Sequence, residues 1–148
     1  MTCSTMDILI TTVKKEIYRH QACSLTATTA EGELKIMPSH APLLAVLRPG
    51  ILIVECMPDC QGADVRCDSM VVLGGFIEVQ PDSVIVLADS VERADDLNEQ
   101  MAAQAVEQAK KDWEVASKEA QKKQTQAHIA LEIALAKMYL VKNRLKKM

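Results

Sequence analysis

Histidine is the side chain most readily recruited for chemistry near neutral pH. His40 stands in the run KIMPSHAPLL, residues 35–44, between Pro38 and Pro42. A general base or a metal ligand needs companions: a serine nucleophile motif, or a cysteine or second histidine at ligating spacing. None accompanies His40. Cys56 and Cys60 are separated by three residues and Cys67 follows, yet no CxxC pair or neighbouring histidine completes a tetrahedral zinc site. With Cys3 and Cys23 the thiols number five, an odd count. The start MTCSTMDILITT has neither the basic and apolar regions of a secretory signal nor the arginines of a transit peptide. Reduced, structural thiols are therefore expected. No nucleophile motif, phosphate-cradling glycine loop or metal spacing occurs, so no catalytic residue is assigned and a non-enzyme is expected. What remains informative around His40 is its prolines. Each pushes the residue before it, Met37 or Ala41, towards extended backbone, and a loop stiffened in advance loses less entropy on docking. The reading is a docking edge, set against a solvated histidine held by a backbone hydrogen bond.

The elements that must carry this loop follow from composition. A chain of 148 residues, 49% hydrophobic and 25% charged, suits one domain with a real core or a small domain plus an appendage. Aromatic residues are 3% of the chain, namely Tyr18, Phe76, Trp113 and Tyr139. They leave little to stack on bases, so no nucleic-acid partner is expected. No apolar run reaches bilayer-spanning length, so no membrane insertion is expected. The formal net charge of −3 hides an asymmetry: residues 118–148 hold eight basic and two acidic side chains.

All five prolines and all five glycines precede residue 82. Because these residues punctuate turns and disfavour helix, the chain must change character there. Before the change, DILITTV, KEIYRH, CSLTATT, ELKIM, ILIVEC, VRCDSMVVL, FIEVQ and SVIVLA read as short strands of an all-β sandwich or barrel. MPDCQGAD, residues 57–64, reads as a hairpin turn, and Gly74-Gly75 as a bulge or close backbone approach. After it, Leu97, Met101, Ala105, Ala109, Trp113, Ala116 and Ala120 form one helical face, with Asp89 or Ser90 as N-cap and acidic Glu92, Asp95 and Asp96 near the helix start. Leu131, Ala134, Met138, Val141 and Leu145, widened by Ile133 and Leu140, form a second, and residues 117–126 the connection. Small residues on the first face let a second helix approach closely, so an antiparallel hairpin is expected. The domains are therefore a β-sandwich over residues 1–90 and a two-helix domain over 91–148.

Three runs in this order, EGELKIMPSHAPLLAVLRPG from Glu31, LGGFIEVQPDSVIVLADSVERADDL from Leu73, and the glycine-free helical pair, resemble the epsilon subunit of the bacterial F-type ATP synthase. The resemblance implies a sandwich of about ten strands plus a helical hairpin. It also implies a non-catalytic subunit of the central rotor stalk, peripheral on the cytoplasmic face of the bacterial plasma membrane, that couples proton translocation to ATP synthesis. Its partners would be the gamma subunit and the ring of c subunits. The catalytic beta subunit and its alpha neighbour join them when the helices extend and block hydrolysis. His40, Ala41, Pro42 and Leu43 would face gamma, and Glu31, Gly32 and Glu33 the c ring. On the extended helix, Lys137, Lys142 and Arg144 would meet an acidic loop of beta.

Some members of that family bind ATP through an Ile or Leu followed by Asp, two variable residues, Arg and Ala. Here the matching run is LNEQMA: Leu97 and Ala102 fit, whereas Asn98 replaces the Asp and Met101 the Arg. Methionine supplies neither the charge nor the planar donors of arginine. Glu92 matches an upstream acidic position, and Lys137 is the one substitute on the second helix. ATP binding is expected to be weak or absent, and no other cofactor or metal is expected. The competing function class is an unrelated sandwich adaptor with a coiled-coil arm, which has no reason to contain the Pro-x-His-Ala-Pro loop.

Overall fold

The computed structural model describes residues 4–56, 66–116 and 121–147. The chain divides into two units, Met1–Val91 and Glu92–Met148.

In the first unit, strands β1 (Met6–Thr11), β2 (Glu16–Ala22), β3 (Ser24–Thr29), β4 (Gly32–Ile36), β5 (Leu43–Cys56), β6 (Arg66–Val79) and β7 (Ser83–Ala88) form one hydrogen-bonded path, β2-β1-β7-β6-β5-β3-β4. The short β8 (Val91–Arg93) pairs β6 off this path. β5 and β6 are 14 residues each, more than twice the usual strand length of about 5–6 residues. Their antiparallel ladder runs from Leu43↔Val79 to Leu47↔Gly75, skips Arg48 and Gly74, and resumes from Pro49↔Leu73 to Cys56↔Arg66. β7 joins the Gly75–Val79 part and β3 chiefly the Ile53–Glu55 part. One long hairpin thereby supplies strands to both layers of a sandwich.

The turn between layers needs glycine. Gly74 and Gly75 have φ of +111° and +127°, and a Cβ on Gly75 would lie 2.1 Å from the Leu87 carbonyl oxygen. The expected bulge or close approach is present. The two inner faces bury Met6, Ile8 and Ile10 of β1, Leu25 and Ala27 of β3, Leu52 and Val54 of β5, Met70, Val72, Ile77 and Val79 of β6, and Val84 and Val86 of β7. Alternation along β1 and β7 puts every second side chain there.

Eight strand elements are present among the described residues rather than about ten. β5 and β6 run through the corner unbroken, so each serves both layers. For the same reason LLAVLRPG, residues 43–50, which the sequence did not mark as a strand, is the first half of β5. Pro49 lies beside the skipped position, where the ladder is already interrupted. The expected turn at 57–64, Cys3, Cys60 and Ala120 lie outside the described residues.

In the second unit a 3₁₀ turn (Ala94–Asp96) leads to α1 (Glu99–Ala116) and α2 (Gln121–Lys147). Trp113 and His128 meet edge to face at 5.4 Å near the connection, while Arg144 reaches Leu97 at the other end, so the helices run antiparallel. α2 begins at Gln121, inside the span expected to be the connection. The N-cap of α1 is Asn98 rather than Asp89 or Ser90: its Oδ1 accepts from Gln100 N at 2.9 Å and its carbonyl from Ala102 N at 2.9 Å. Glu92 belongs to β8 and Asp95 and Asp96 to the 3₁₀ turn, so Glu99 alone is acidic in the first turn of α1.

The seam of α2 is as expected over its described side chains: Ala134 and Val141 are buried, with Leu131 and Met138 half-buried and Ala127 extending the stripe, while the side chain of Leu145 lies outside the described residues. The face of α1 is not. Ala102 and Ala109 are buried and Val106 and Trp113 half-buried, while Met101 and Ala105 are exposed. With 3.6 residues per turn, each step of four overshoots by about 40°. Leu97, extended at ψ 133°, precedes the helix, and three such steps carry Met101, Ala105, Ala109 and Trp113 around it, whereas the alternation of four and three in Ala102, Val106, Ala109 and Trp113 stays on one side.

Candidate functional site

The loop around His40 is built as a turn. His40 N donates to the Met37 carbonyl at 3.2 Å, with Pro38 in the second position and Ser39 in the third at φ +67°. This is the geometry of a type II turn, for which proline is pre-set and glycine usual at the strained position. Ser39 N donates to the Pro81 carbonyl at 2.7 Å, tying the loop to the β6–β7 turn. The His40 Nδ1 lies 2.7 Å from the Ala41 carbonyl oxygen. Among the described residues no group of three or more histidine, cysteine, aspartate or glutamate side chains is placed to hold a metal. Ala41 and Pro42 are exposed. Leu43 packs against the sandwich core, and its neighbour Leu44 points out, 70% exposed.

Leu44 opens a surface that the sequence reading missed. Residues paired across a sheet share a face, and two adjacent rows read Leu44–Glu78–Ile85–Leu9 and Val46–Phe76–Leu87–Thr11. Leu44, Val46, Phe76, Ile85 and Leu87 are all between 40% and 70% exposed. Five large apolar side chains thus sit together on the outer face of the β1-β7-β6-β5 layer. One signal could have found them: SVIVLA is apolar at five of its six positions, where a strand with one wet face alternates.

Glu31, Gly32 and Glu33 lie at the β3–β4 hairpin and are exposed. Gly32 takes φ +125°, and Thr29 Oγ1 braces the turn, donating to the Gly32 carbonyl at 2.8 Å. β4, five residues long, separates this tip from the His40 loop, a span of about 16 Å at strand rise. The two sequence-predicted surfaces therefore occupy opposite ends of β4.

Two polar clusters of the sandwich are structural ties. The Tyr18 hydroxyl donates to Asp68 Oδ2 at 2.8 Å and lies 3.4 Å from Cys56 Sγ. Burial, with these two partners, holds the phenol protonated well above its ordinary range. Ser24 Oγ donates to Glu55 at 2.5 Å and Lys35 approaches it at 3.2 Å. Both lower the Glu55 pKa, the serine bond more than the lysine.

In the helical unit four of the five positions matched to a nucleotide motif are committed elsewhere. Glu92 Oε1 accepts from Lys137 Nζ at 2.7 Å. The Asn98 side chain caps α1, Leu97 and Ala102 are buried, and Met101 is 69% exposed. The Arg144 guanidinium donates to the carbonyls of Ala94, Asp95 and Leu97 at 3.0, 3.3 and 3.5 Å. Lys142 is exposed. No helix among the described residues is long and apolar enough to cross a membrane.

Residues 5–94 match the family model described as ATP synthase, Delta/Epsilon chain, beta-sandwich domain. The chain is 42% identical to the ATP synthase epsilon chain of Acidithiobacillus ferridurans over 71% of its own length and 70% of that relative. It is 33% identical to the ATP synthase epsilon chain of Ruthia magnifica over 90% and 87% of the two chains. Its fold is similar to that of a chain in the Euglena gracilis mitochondrial ATP synthase structure (OSCP/F1/c-ring, rotational state 1), with a TM-score of 0.74 and 24% identity over 95% of this chain and 81% of that one.

Proposed function

The chain belongs to the epsilon chains of ATP synthase, and from that premise we propose that it is a non-catalytic subunit of the central stalk that binds gamma through the sandwich and restrains ATP hydrolysis through its helices. The observation that carries the proposal is the outer apolar face formed by Leu44, Val46, Phe76, Ile85 and Leu87. Five clustered large apolar side chains in water are a liability that a permanent neighbour removes. The His40 loop runs directly into β5 beside them, so His40, Ala41 and Pro42 form the rim and Leu44 the first buried anchor of one docking surface. Leu43 supports the surface from beneath. The Glu31–Glu33 tip, at the other end of β4, addresses the c ring. In an assembled complex peripheral to the membrane, this arrangement transmits rotation driven by proton flow to the catalytic subunits.

For the helices, Lys137, Lys142 and Arg144 supply the cations that an extended α2 presents to an acidic segment of beta, with alpha alongside. Capture of this kind weakens as salt screens exposed charges. ATP does not bridge the hairpin, because Met101 offers no charge and Glu92 is already paired.

The test is association. Phe76→Asp and Leu87→Asp place charges on the outer face without touching the core, so each chain folds and its affinity for purified gamma falls by a factor of ten or more, roughly the effect of losing one interface hot spot. Undiminished binding by the folded double variant overturns the docking assignment. ATP hydrolysis by complexes carrying the full chain or one ending at Val91 tests the restraint: equal rates reject it. Saturable ATP binding by the isolated chain at millimolar concentration or below rejects the nucleotide-free reading.

A further inference from the structure

We propose that Lys137 and Arg144 form a latch that holds the helical hairpin shut without any bound ligand, so that the cations needed by an acidic partner are withheld until the latch opens. The proposal deepens the restraint described above and rests on it for its consequence, though not for the latch itself.

Lys137 and Arg144 are seven residues apart on α2, two helical turns, and so lie on one stripe. That stripe is not the seam with α1, which Ala127, Leu131, Ala134, Met138 and Val141 occupy. It faces the segment from Glu92 to Leu97 that leads into α1. The Lys137–Glu92 pair is short, at 2.7 Å, and the lysine side chain is only 22% exposed. The Arg144 guanidinium spans three carbonyls of the 3₁₀ turn and the residue after it, where the backbone leaves helical geometry; it donates to Asp95 and Leu97 and adds a second donor to Ala94, whose carbonyl also accepts from Leu97 N at 3.3 Å. Asp95 and Asp96 add acidic character to the same short segment.

Two features make these contacts decisive. The seam is poor in apolar area because Ala102, Ala109, Ala127 and Ala134 supply most of its buried positions among the described residues, and an alanine buries far less than a leucine. The contacts also sit at the open end of the hairpin, opposite the Trp113–His128 pair, where separation of the helices must begin. A guanidinium held on three carbonyls and an ammonium seated on Glu92 stay with the folded hairpin, so an extended α2 presents them to a partner's carboxylates only after these contacts break. The connecting segment thus acts as an internal substitute for the acidic partner, and the two uses of the cations exclude each other.

The experiment measures amide hydrogen exchange across 99–147 in the nucleotide-free full chain for Glu92→Lys, Lys137→Glu, the double swap, Arg144→Gln and Arg144→Lys. Each single charge change and Arg144→Gln raise α2 exchange roughly tenfold, the ratio that corresponds to about 1.4 kcal/mol. The double swap returns exchange close to the parent value. Arg144→Lys, which keeps the charge but cannot span three carbonyls, falls between. Parent-like exchange in the single variants, or a double swap as loose as either single, overturns the latch. Should a variant lose helix altogether, the swap and Arg144→Lys still decide the question. Hydrolysis by complexes carrying Glu92→Lys, which loosens the latch and leaves both cations in place, separates the latch from its consequence. Deeper restraint supports both. Loosened exchange with unchanged hydrolysis upholds the latch and rejects the restraint.

Discussion

At the scale of single residues, the sandwich depends on positions where backbone geometry admits one choice. Gly75→Ala would drive a Cβ to within 2.1 Å of the Leu87 carbonyl at a φ of +127°. The atom it meets is backbone in a paired strand and cannot retreat, so a loss of about 3 kcal/mol or more is expected in urea unfolding. Gly32→Ala is the control, with nearly the same φ but no atom within 4 Å of the added carbon. It should cost about 1–2 kcal/mol, the backbone penalty alone. Charge at single residues sets the pH limits. The Glu55 carboxylate is held below its ordinary 4.5 in the fold by Ser24 and Lys35, so its stabilisation is present above that value and lost as pH falls below it. The Tyr18 phenol is held above its ordinary 10, so its contribution is present below pH 10 and lost as pH rises beyond it. Urea midpoints across pH should show both limbs, Glu55→Gln flattening the acid one and Tyr18→Phe the alkaline one.

At the scale of elements, the hairpin seam discriminates between two faces of α1 that look alike in sequence. Ala109 is 6% exposed and Ala105 is on the open side. Ala109→Leu should force the helices apart and cost about 1–3 kcal/mol, while Ala105→Leu should leave the thermal melting of the helical signal nearly unchanged. Equal effects would mean that the seam is not where Ala102, Val106, Ala109 and Trp113 place it. Among the strands, β5 and β6 matter most, because one long hairpin builds both layers and carries Leu44, Val46 and Phe76 on its outer face. An element that both shapes the core and presents the docking surface lets neither shift without the other.

At the scale of the molecule, every member of the sandwich core among the described residues lies between Met6 and Ala88, and Val91 packs against it. A chain ending at Val91 is therefore expected to unfold in one cooperative transition with its β signal intact; a gradual, non-cooperative loss in urea would show that the core needs the helices. The sequence by itself determined the order of elements, the change of character after residue 82, the glycine pair and the family likeness. These are properties of neighbours along the chain: turn chemistry, alternation and helical period act within a few residues. It also marked His40 and Glu31–Glu33, though not that β4 separates them. Only the tertiary structure decided which side chains share a surface or a bond. Phe76 joins Val46 and Leu87 through strand register. Tyr18 meets Asp68 across 50 positions, and Lys137 meets Glu92 across 45. Such pairings depend on where distant segments come to rest, which the packing of the whole core determines and no local pattern encodes.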